Sequence, residues 1–251
     1  GTIDAVEIAV DVATLDPGSD IAVLRGGPRA QPESSGRRSC GAGINLTHLY
    51  RGQIPFVWFV ARELGWVHKL LRGVATSELV PDDVHGYGIE KPWIAAVESF
   101  AIGGHCQVLL TIDYVLAASD AYMTLPARKE GIIPGLSNMR LIRFVGDRIA
   151  RQLIQYERRL DCNSPEGRMI CDEIVPPGDM DAAIDRVVAG LTNSGAVGAI
   201  GNRRAFRVAE EPLDLFRRYC TVYAREQAQC HFSPALIANL ERYWDAQNRK
   251  G

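Results

Sequence analysis

The stretch from residue 91 to residue 135 constrains this chain more than any other part of the sequence. The apolar run Trp93–Val97 predicts a short buried strand, and Gly103-Gly104 separates it from residues 106–110, an apolar run with helical character. A strand, a glycine turn and a helix in this order direct free backbone N–H groups toward whatever lies above Gly104, and such a site favours an anion. A glycine pair between a strand and a helix is also common in plain packing, so this pattern alone leaves both interpretations open.

Four short motifs within residues 91–135 have the order and spacing of a known family. They are K-P-x-I-A-A-V, G-G-x-C, D-Y-V-L-A and P-x-x-x-x-G-I-I-P-G. The run resembles, without a gap, the central signature of the crotonase (enoyl-CoA hydratase/isomerase) superfamily. Residues 40–45, C-G-A-G-I-N, resemble the A-G-A-D segment that precedes this signature in the superfamily.

The resemblance implies an oxyanion hole, a pair of N–H donors aimed at one oxygen. The backbone N–H groups of Ile44 and Gly104 are expected to bind a thioester oxygen as it becomes an enolate, where such donors lower the barrier most. For His105 we favour a packing or capping role over a catalytic one. The remaining residues of the two motifs are expected to contact the substrate: Gly41, Ala42, Gly43, Asn45, Gly103 and His105.

The resemblance also implies the architecture, an α/β fold with a crotonase-like ββα spiral core and a C-terminal helical trimerisation region. We assign the core to residues 1–160 and the helical region to residues 161–251, and we expect a homotrimer or a hexamer. The 47% apolar content of the chain supports one sizeable core. The strands that usually precede the first helix of the superfamily are absent, so we interpret the chain as a fragment.

Composition narrows the partners and the compartment. The net charge of -2 gives no electrostatic reason to expect a nucleic acid or an anionic membrane. No apolar run reaches the ~18 residues of a membrane span. The six cysteines form no C-x-x-C pair, which predicts reduced thiols and a cytoplasmic protein. No ligand cluster and no G-x-G-x-x-G fingerprint is present, so we expect neither a metal nor a flavin cofactor.

Local patterns predict several further elements. The first helix is expected from Thr2 to Leu15, a strand at residues 21–24 and a basic loop at residues 25–39 that includes Arg29. A helix is expected from Pro55 to about Leu71, and a loop at residues 76–91 that includes His85. The last third is expected to be helical throughout: a start at Ser164-Pro165-Glu166, a cap at Asp179, and helices at residues 196–208, 213–223 and 233–244.

Arg62 falls within the otherwise apolar helix at residues 55–71. From the sequence alone, a surface arginine is the favoured interpretation, whereas the resemblance places this helix over the acyl pocket, where a guanidinium suits a ring hydroxyl. Apolar side chains near the signature are candidates for an O2 pocket, although such residues are more often plain core. They are Trp58, Phe59, Ile132 and Leu136.

Two departures from the family decide the chemistry. Hydratases of this family carry one glutamate three residues after the second oxyanion glycine and another after the proline of a later P-E motif; here the positions hold Gln107 and Ala127. Hydration needs a group that takes a proton and one that returns it, and an amide and a methyl do neither. Glu130 is the nearest carboxylate, and we assign it a structural place in the turn before Gly131. Enoyl-CoA hydration is therefore not expected.

An enolate-stabilising hole without an acid and base pair suits a substrate whose α-proton is already acidic, such as an arylacetyl thioester. The segments S-F-A-I-G-G-H-C-Q and T-L-P-A-R-K-E-G-I-I-P-G-L-S-N-M-R-L resemble one branch of the superfamily, the cofactor-independent dioxygenases of 3,5-dihydroxyphenylacetyl-CoA in glycopeptide antibiotic biosynthesis. The resemblance implies oxidation by O2 to 3,5-dihydroxyphenylglyoxylate and CoA. It assigns Gln107 and Arg62 to the ring hydroxyls, and it identifies no base.

Two alternatives remain open. One is another crotonase enzyme that acts through an enolate, such as an isomerase, decarboxylase or thioesterase, because it needs the same hole. The other is a non-catalytic crotonase-like subunit, which also explains the lost glutamates. Turnover without O2 favours the first alternative, and binding of CoA thioesters without turnover favours the second.

Overall fold

The computed structural model describes residues 2–28, 37–74 and 88–249. The predictions made for Arg29 and for His85 lie outside these residues. Within them the strands, in chain order, are β1 (Ala22–Arg25), β2 (Gly27–Pro28), β3 (Arg38–Ser39), β4 (Trp93–Val97), β5 (Phe100–Ile102), β6 (Tyr114–Ala118), β7 (Tyr122–Thr124), β8 (Leu160–Asp161) and β9 (Glu173–Val175).

The helices of the described residues form the larger part of the structure. In chain order they are α1 (Thr2–Leu15), α2 (Leu46–Tyr50), α3 (Phe56–Leu64), α4 (Trp66–Arg72), α5 (Gly104–Leu109), α6 (Ala127–Glu130), α7 (Ser137–Gln155), α8 (Met180–Thr192), α9 (Ala196–Glu210), α10 (Leu213–His231) and α11 (Pro234–Trp244).

The main sheet has four parallel strands in the order β1-β4-β6-β9. Every residue of β4 is buried, as expected for the centre of a parallel sheet whose two faces are both covered by helices. The prediction of a buried strand at Trp93–Val97 is therefore confirmed. A second sheet, β5-β7-β8, follows from the short strand β5, which the sequence did not reveal.

The glycine turn after β5 leads directly into α5, so the predicted turn and helix are confirmed. Gly103 has a φ of 56°, a left-handed conformation that residues with a side chain adopt only with strain. The helix begins at Gly104, one residue after this turn. The position of the turn is thus fixed by glycine, and it sets the point at which the chain reverses toward the core.

Three local predictions are wrong. The helix expected up to Leu71 is divided at Gly65, whose ψ of -118° is not helical, into α3 and α4. The segment 164–166 leads into one 3₁₀ turn, Gly167–Met169, rather than into an α-helix. The last third is not helical throughout, because β9 lies in it and pairs with β6, so the main sheet extends past residue 160.

The C-terminal helices cover the side of the core on which α2, α3 and α6 lie. Helix α10 packs on α3, while α11 packs on α6 and on α2. Two side-chain hydrogen bonds fix α11 to α2: the Tyr50 hydroxyl donates to Glu241 Oε1 at 2.8 Å, and Trp244 Nε1 donates to Thr47 Oγ1 at 3.2 Å. Residues far apart in the sequence therefore enclose one region in front of the glycine turn.

The helices show no membrane-spanning character. Among the described residues, none is both long and apolar enough to cross a bilayer.

Candidate active site

A small cavity lies where the two sequence motifs meet. It encloses about 30 Å³. The residues around it come from the two glycine segments and from α3, α5, α6 and α10. They are Gly43, Ile44, Trp58, Phe59, Arg62, Gly103, Gly104, Gln107, Ala127, Glu130, Ile132, Ile133, Gly135 and Tyr223.

The two glycine segments run side by side at this cavity. The Ile102 N–H donates to the Gly41 carbonyl at 2.9 Å, which joins the first segment to the end of β5. A Cβ added at Gly43 would lie 3.4 Å from the Ile102 carbonyl oxygen and 3.8 Å from the Gly104 nitrogen. The absence of side chains thus lets the two backbones approach each other closely.

Ile44 and Gly104, the two predicted oxyanion residues, both line the cavity. Gly104 is the first residue of α5, so its N–H has no acceptor within the helix. Within the ranges the structure describes, no hydrogen bond engages the N–H of either residue. Both main-chain donors therefore remain available to a ligand.

His105 lies behind the first glycine segment rather than in the cavity wall. Its Nδ1 accepts a hydrogen bond from the Gly43 N–H at 3.3 Å, and a Cβ at Gly41 would collide with its ring. Burial, and then the positive charge of Arg62, lower the pKa of His105, which keeps the imidazole neutral and able to accept. This geometry matches the favoured packing role and gives no support to a substrate contact by His105 or Gly41.

Arg62 is buried, with 6% of its surface exposed, so the interpretation as a surface arginine is wrong. Its Nη2 donates to the Gly104 carbonyl at 2.7 Å, and its Nη1 donates to Gln107 Oε1 at 2.9 Å. Nη1 also donates to the carboxylate of Glu63. One guanidinium thus holds both the glycine turn at Gly104 and the side chain of Gln107, a use of the planar fork that a lysine cannot reproduce.

Gln107 lines the cavity one helical turn after Gly104. Because its Oε1 accepts from Arg62, the orientation of the amide is fixed and its NH2 group is left for other partners. Its NH2 group makes no hydrogen bond to the residues described here. The side chain is therefore prepared to donate to a ligand, and it lacks a group that would transfer a proton.

Glu63 is a functional candidate that the sequence analysis missed. It is 1% exposed and forms ion pairs with Arg62 and, at 3.7 Å, with Arg140 Nη1. Arg140 in turn makes a two-pronged contact with Glu211, through Nε at 2.9 Å and Nη2 at 2.8 Å. The adjacent charges at positions 62 and 63 in an apolar helix were the available signal, but the partner Arg140 lies 77 residues further along the chain.

The apolar side of the cavity contains three of the four residues predicted for an O2 pocket. Trp58, Phe59 and Ile132 line it, and the Trp58 and Phe59 rings lie 5.2 Å apart in an edge-on arrangement. Leu136 is buried beneath this wall and does not reach the cavity. Tyr223 of α10 completes the wall, and burial raises the pKa of its hydroxyl, so the phenol stays protonated.

Ala127 and Glu130 both belong to α6 and both line the cavity. Glu130 does end α6 before Gly131, as predicted, but its place in the wall goes beyond the structural role assigned to it. Within the described ranges its carboxylate has no hydrogen bond or ion pair. Burial, and then repulsion by Glu157, raise the pKa of Glu130 to about 7.

A wider cleft of about 480 Å³ opens from the first glycine segment. Gly43 and Ile44 line both this cleft and the small cavity, so the two spaces share a wall. Asn45 lies here with its side chain engaged as the cap of α2, where it accepts from the N–H groups of Thr47 and His48. The other lining residues are Ala42, Thr47, Trp244 and Arg249.

A metal site is not formed by this arrangement. In residues 2–28, 37–74 and 88–249, no group of three or more His, Cys, Asp or Glu side chains is placed to hold a metal ion.

Comparisons with known proteins agree with the motifs. Residues 77–197 match the model of the enoyl-CoA hydratase/isomerase family. The chain is 52% identical, over 95% of its length, to the (3,5-dihydroxyphenyl)acetyl-CoA 1,2-dioxygenase of Amycolatopsis orientalis, and it covers 54% of that relative. It is 26% identical, over 77% of its length, to the crotonyl-CoA hydratase of Syntrophomonas wolfei and covers 66% of it. The chain thus spans about half the length of the dioxygenase it matches.

Solved structures share the fold. An enoyl-CoA hydratase from Mycobacterium avium subsp. paratuberculosis superimposes with a TM-score of 0.74 at 19% identity, covering 99% of this chain and 87% of the other. An enoyl-CoA hydratase/isomerase from Xanthobacter autotrophicus gives 0.72 at 21% identity, covering 98% and 84%. At these identities the likeness concerns the fold.

Proposed function

This chain belongs to the crotonase superfamily and has its α/β fold, and from that premise we propose a cofactor- and metal-independent dioxygenase. The proposed substrates are 3,5-dihydroxyphenylacetyl-CoA and O2, and the products are 3,5-dihydroxyphenylglyoxylate and CoA. One observation carries the proposal. Two free main-chain donors, at Ile44 and Gly104, share a cavity with an amide and a methyl at the positions where hydratases carry glutamates. The 52% identity to a dioxygenase of this substrate supports it.

The first role is to stabilise negative charge on the thioester oxygen. When the α-proton leaves, the electron pair delocalises onto the carbonyl oxygen, and the N–H groups of Ile44 and Gly104 donate to it. Donors that are already in place and partly shielded from water contribute most at this point; removing one such donor typically slows a reaction by ~10²–10³. Arg62 supports this site by holding the Gly104 carbonyl, which fixes the plane of the adjoining peptide.

The second role is to bind the aromatic ring. The free NH2 group of Gln107 donates to a ring hydroxyl or phenolate oxygen, while its Oε1 is already engaged by Arg62. Arg62 Nη2 makes one hydrogen bond in the described structure and has a second N–H for a ring oxygen. Hydrogen bonds from Gln107 and Arg62 to a ring oxygen favour the phenolate, which makes the carbanion a better electron donor.

The third role is to let the carbanion meet O2 in an apolar space beside Trp58, Phe59 and Ile132. The enolate passes one electron to O2, and the two radicals combine to form a peroxide at the α-carbon. The peroxide attacks the thioester carbonyl and expels CoA as its thiolate. Cleavage of the O–O bond, with loss of the second α-proton, then leaves a ketone and a carboxylate that each carry one oxygen atom from O2.

The size of the cavity adds a requirement. About 30 Å³ holds one or two water molecules, so an aryl group enters only when side chains of the wall shift. The cleft beside Ala42 and Ile44 provides room for the extended arm of CoA, and Arg249 lies in its wall. In this arrangement the thioester lies at Gly43 and Ile44, where the two spaces meet.

We also propose that the protein assembles as a homotrimer or hexamer in the cytoplasm. Exposed apolar side chains on the outer helices are candidates for an interface between subunits, since an exposed apolar patch marks an interaction site. Val197 is 85% exposed and Phe206 63% exposed on α9, and Val222 is 52% exposed on α10. Sedimentation analysis that finds only monomer over the micromolar range contradicts this part.

The reaction is tested with metal-stripped protein, 3,5-dihydroxyphenylacetyl-CoA and ¹⁸O2. The proposal predicts two ¹⁸O atoms in the glyoxylate, one CoA released per O2 consumed, and no effect of a chelator. No turnover is expected without O2, and no hydration of crotonyl-CoA. Product formed without O2, a single label, or oxygen consumption that a chelator abolishes overturns the proposal.

A further inference from the structure

Glu130 occupies a position that the family signature does not use for a carboxylate. In α6 it follows Ala127 by three residues, so both side chains lie on one face of the helix. Ala127 stands where hydratases carry a glutamate, and its methyl leaves the cavity open in front of Glu130. Glu130 thus lines the same cavity one helical turn after the position of the family glutamate.

We propose that Glu130 is the base that removes the α-proton of the arylacetyl thioester. The inference rests on the proposed function, because it assigns a step of that reaction. Glu130 lines the cavity together with Ile44, Gly104 and Gln107, which surround the reacting carbon in the proposed complex. The resemblance to the family identified no base for this removal of the α-proton.

Its neighbours leave the carboxylate free for this step. Arg128 and Lys129, which precede it in α6, both pair with Glu157, at 2.9 Å and 3.6 Å. Lys129 Nζ also lies 5.1 Å from the centre of the Tyr243 ring of α11. No ion pair or hydrogen bond holds the Glu130 side chain among the described residues.

The other titratable groups near the cavity are poorer bases. Glu63 is held between Arg62 and Arg140, so its charge is neutralised where it lies. The Tyr223 phenol stays protonated because burial raises its pKa. His105 lies behind the glycine segment, with its acceptor nitrogen engaged by Gly43. Within the described structure, Glu130 is the carboxylate at the cavity that carries no partner.

The chemistry of the step balances without another reactant. A Glu130 oxygen forms a bond to the α-hydrogen while the C–H bond breaks. The electron pair of that bond remains on the α-carbon and spreads to the thioester oxygen and the ring. Glu130 becomes a neutral carboxylic acid, the substrate becomes an enolate, and the charge moves to the oxygen that Ile44 and Gly104 face.

The surroundings of Glu130 also give its carboxylate a pKa that suits a general base. Burial and the negative charge of Glu157 raise the pKa of Glu130 to about 7, close to the pH at which a general base is most effective. The charged and titratable groups around it are Glu157, two residues beyond the end of α7, Arg128 and Lys129 on its own helix, and Tyr223 of α10 and Arg62 of α3 in the wall of the same cavity. Since the carboxylate is the reactive form, proton removal is expected to rise with pH through about 7.

The test separates proton removal from oxidation. Wild-type protein, Glu130→Gln and Glu130→Asp are incubated without O2 in D2O with 3,5-dihydroxyphenylacetyl-CoA, and α-deuterium uptake is followed by NMR. Wild type is expected to exchange, Glu130→Gln to lose ~10²–10⁴-fold in rate, and Glu130→Asp to recover part of it. The dissociation constant of the thioester should change little in Glu130→Gln. Exchange by Glu130→Gln at the wild-type rate overturns the inference, as does no exchange by wild type.

Glu157→Gln is a second variant, which removes the negative charge that repels the Glu130 carboxylate. It also releases Arg128 and Lys129 from their ion pairs, and their positive charges act on Glu130 in the same direction. Removing the repulsion should move the midpoint of the exchange-against-pH profile to lower pH, while the rate at high pH stays the same. A role of Glu130 in folding alone predicts no such shift, so an unmoved midpoint counts against the inference. This readout remains available even if Glu130→Gln fails to fold.

Failure of this inference is distinguishable from failure of the proposed function. Exchange that depends on Glu130, with no ¹⁸O in the product under O2, supports the base and contradicts the dioxygenase. Doubly labelled product from both wild type and Glu130→Gln, at equal rates, supports the dioxygenase and overturns the base.

Discussion

The cavity has two unlike sides, one made of main chain and one made of buried charges. On the first, Gly43 and Gly103 bring two backbones together, and the groups proposed to bind the thioester are N–H donors. On the second, Arg62 and Glu63 continue through Arg140 into a series of buried ion pairs. The first side depends on glycine at a few positions. The second depends on side chains brought together from distant helices.

The difference teaches which features of a site can be changed independently. A backbone donor is positioned by the local turn and has no side chain to lose. A charged side chain buried away from water is held only by its partners, and losing one partner leaves an uncompensated charge. We therefore expect the charged side to dominate stability and the glycine side to tolerate only changes that preserve its space.

The largest effect is expected from Arg140→Met. Arg140 is 2% exposed and pairs with both Glu211 and Glu63, so its loss removes the two-pronged partner of Glu211 and one of the two arginines beside Glu63. The free energy of unfolding should fall by ~3–5 kcal/mol in a urea titration. Arg151→Met on the same helix breaks the exposed pair with Asp147 and should leave the midpoint unchanged. Equal urea midpoints for the two variants would contradict the claim that the buried charges dominate the stability of the protein.

Gly135→Ala tests where the two sides meet. Its φ is 52°, and an added Cβ would lie 2.5 Å from Glu63 Oε1 and 2.8 Å from Gln107 Oε1. Gly146→Ala is the matched control, because its φ is 73° and nothing lies within 4 Å of the added Cβ. In both variants the positive φ lowers the free energy of unfolding by ~1 kcal/mol, because alanine adopts it only with strain. Gly135→Ala should lose ~1–3 kcal/mol more from crowding. Equal unfolding free energies for the two variants would show that the side chains of Glu63 and Gln107 move away from the added Cβ without cost.

Arg62→Lys keeps the positive charge but removes the fork that joins Gln107 to the Gly104 carbonyl. In the proposed reaction we expect kcat to fall ~10²-fold, since both the oxyanion turn and the ring donor lose their positions. Arg225→Lys, on exposed α10 surface, should react like wild type. A kcat equal to that of wild type in Arg62→Lys would show that only the positive charge of Arg62 matters, and not the geometry of its guanidinium.

The smallest expected effect is a loss of stability at acidic pH that is linked to His68. His68 contacts the Phe216 ring, and burial, followed by the nearby charges of Arg72 and Arg140, lowers its pKa to about 4 from 6.5. Because the unfolded chain binds this proton first, stability conferred by neutral His68 is present above about pH 6.5 and is lost as pH falls toward about 4. Urea titrations over this range should show a shallower decline for His68→Phe than for wild type. Parallel declines would place the acid sensitivity elsewhere.

The main-chain side of the cavity was predicted from the sequence, whereas the charged side was missed. The reason is physical. Glycine at positions 103 and 104 between two apolar runs is a local signal, and the strand, turn and helix it predicted are present. Arg62 was misinterpreted as a surface residue because its partners Gln107 and Gly104 follow more than forty positions later. Burial of a charge is decided by packing between helices, which a local pattern does not contain.

The same limit explains the errors elsewhere in the fold. Helix α7 contains Gly146 in a left-handed conformation, so its apolar period is interrupted and no helix was predicted there. Strands β5, β7, β8 and β9 have two to three residues each, too few for an alternating pattern. Glu130 was assigned to its turn correctly, but its place in the cavity wall depends on residues of α3 and α10, which line the same cavity and are distant in the sequence.

The central claim is that two main-chain amides hold one thioester oxygen. A crystal structure with an unreactive amide analogue of 3,5-dihydroxyphenylacetyl-CoA tests it most directly. The account predicts the analogue's carbonyl oxygen about 2.7–3.1 Å from the nitrogens of both Ile44 and Gly104, with a ring oxygen at the NH2 group of Gln107. A carbonyl oxygen bound away from either nitrogen, or a ring turned away from Gln107, would contradict it.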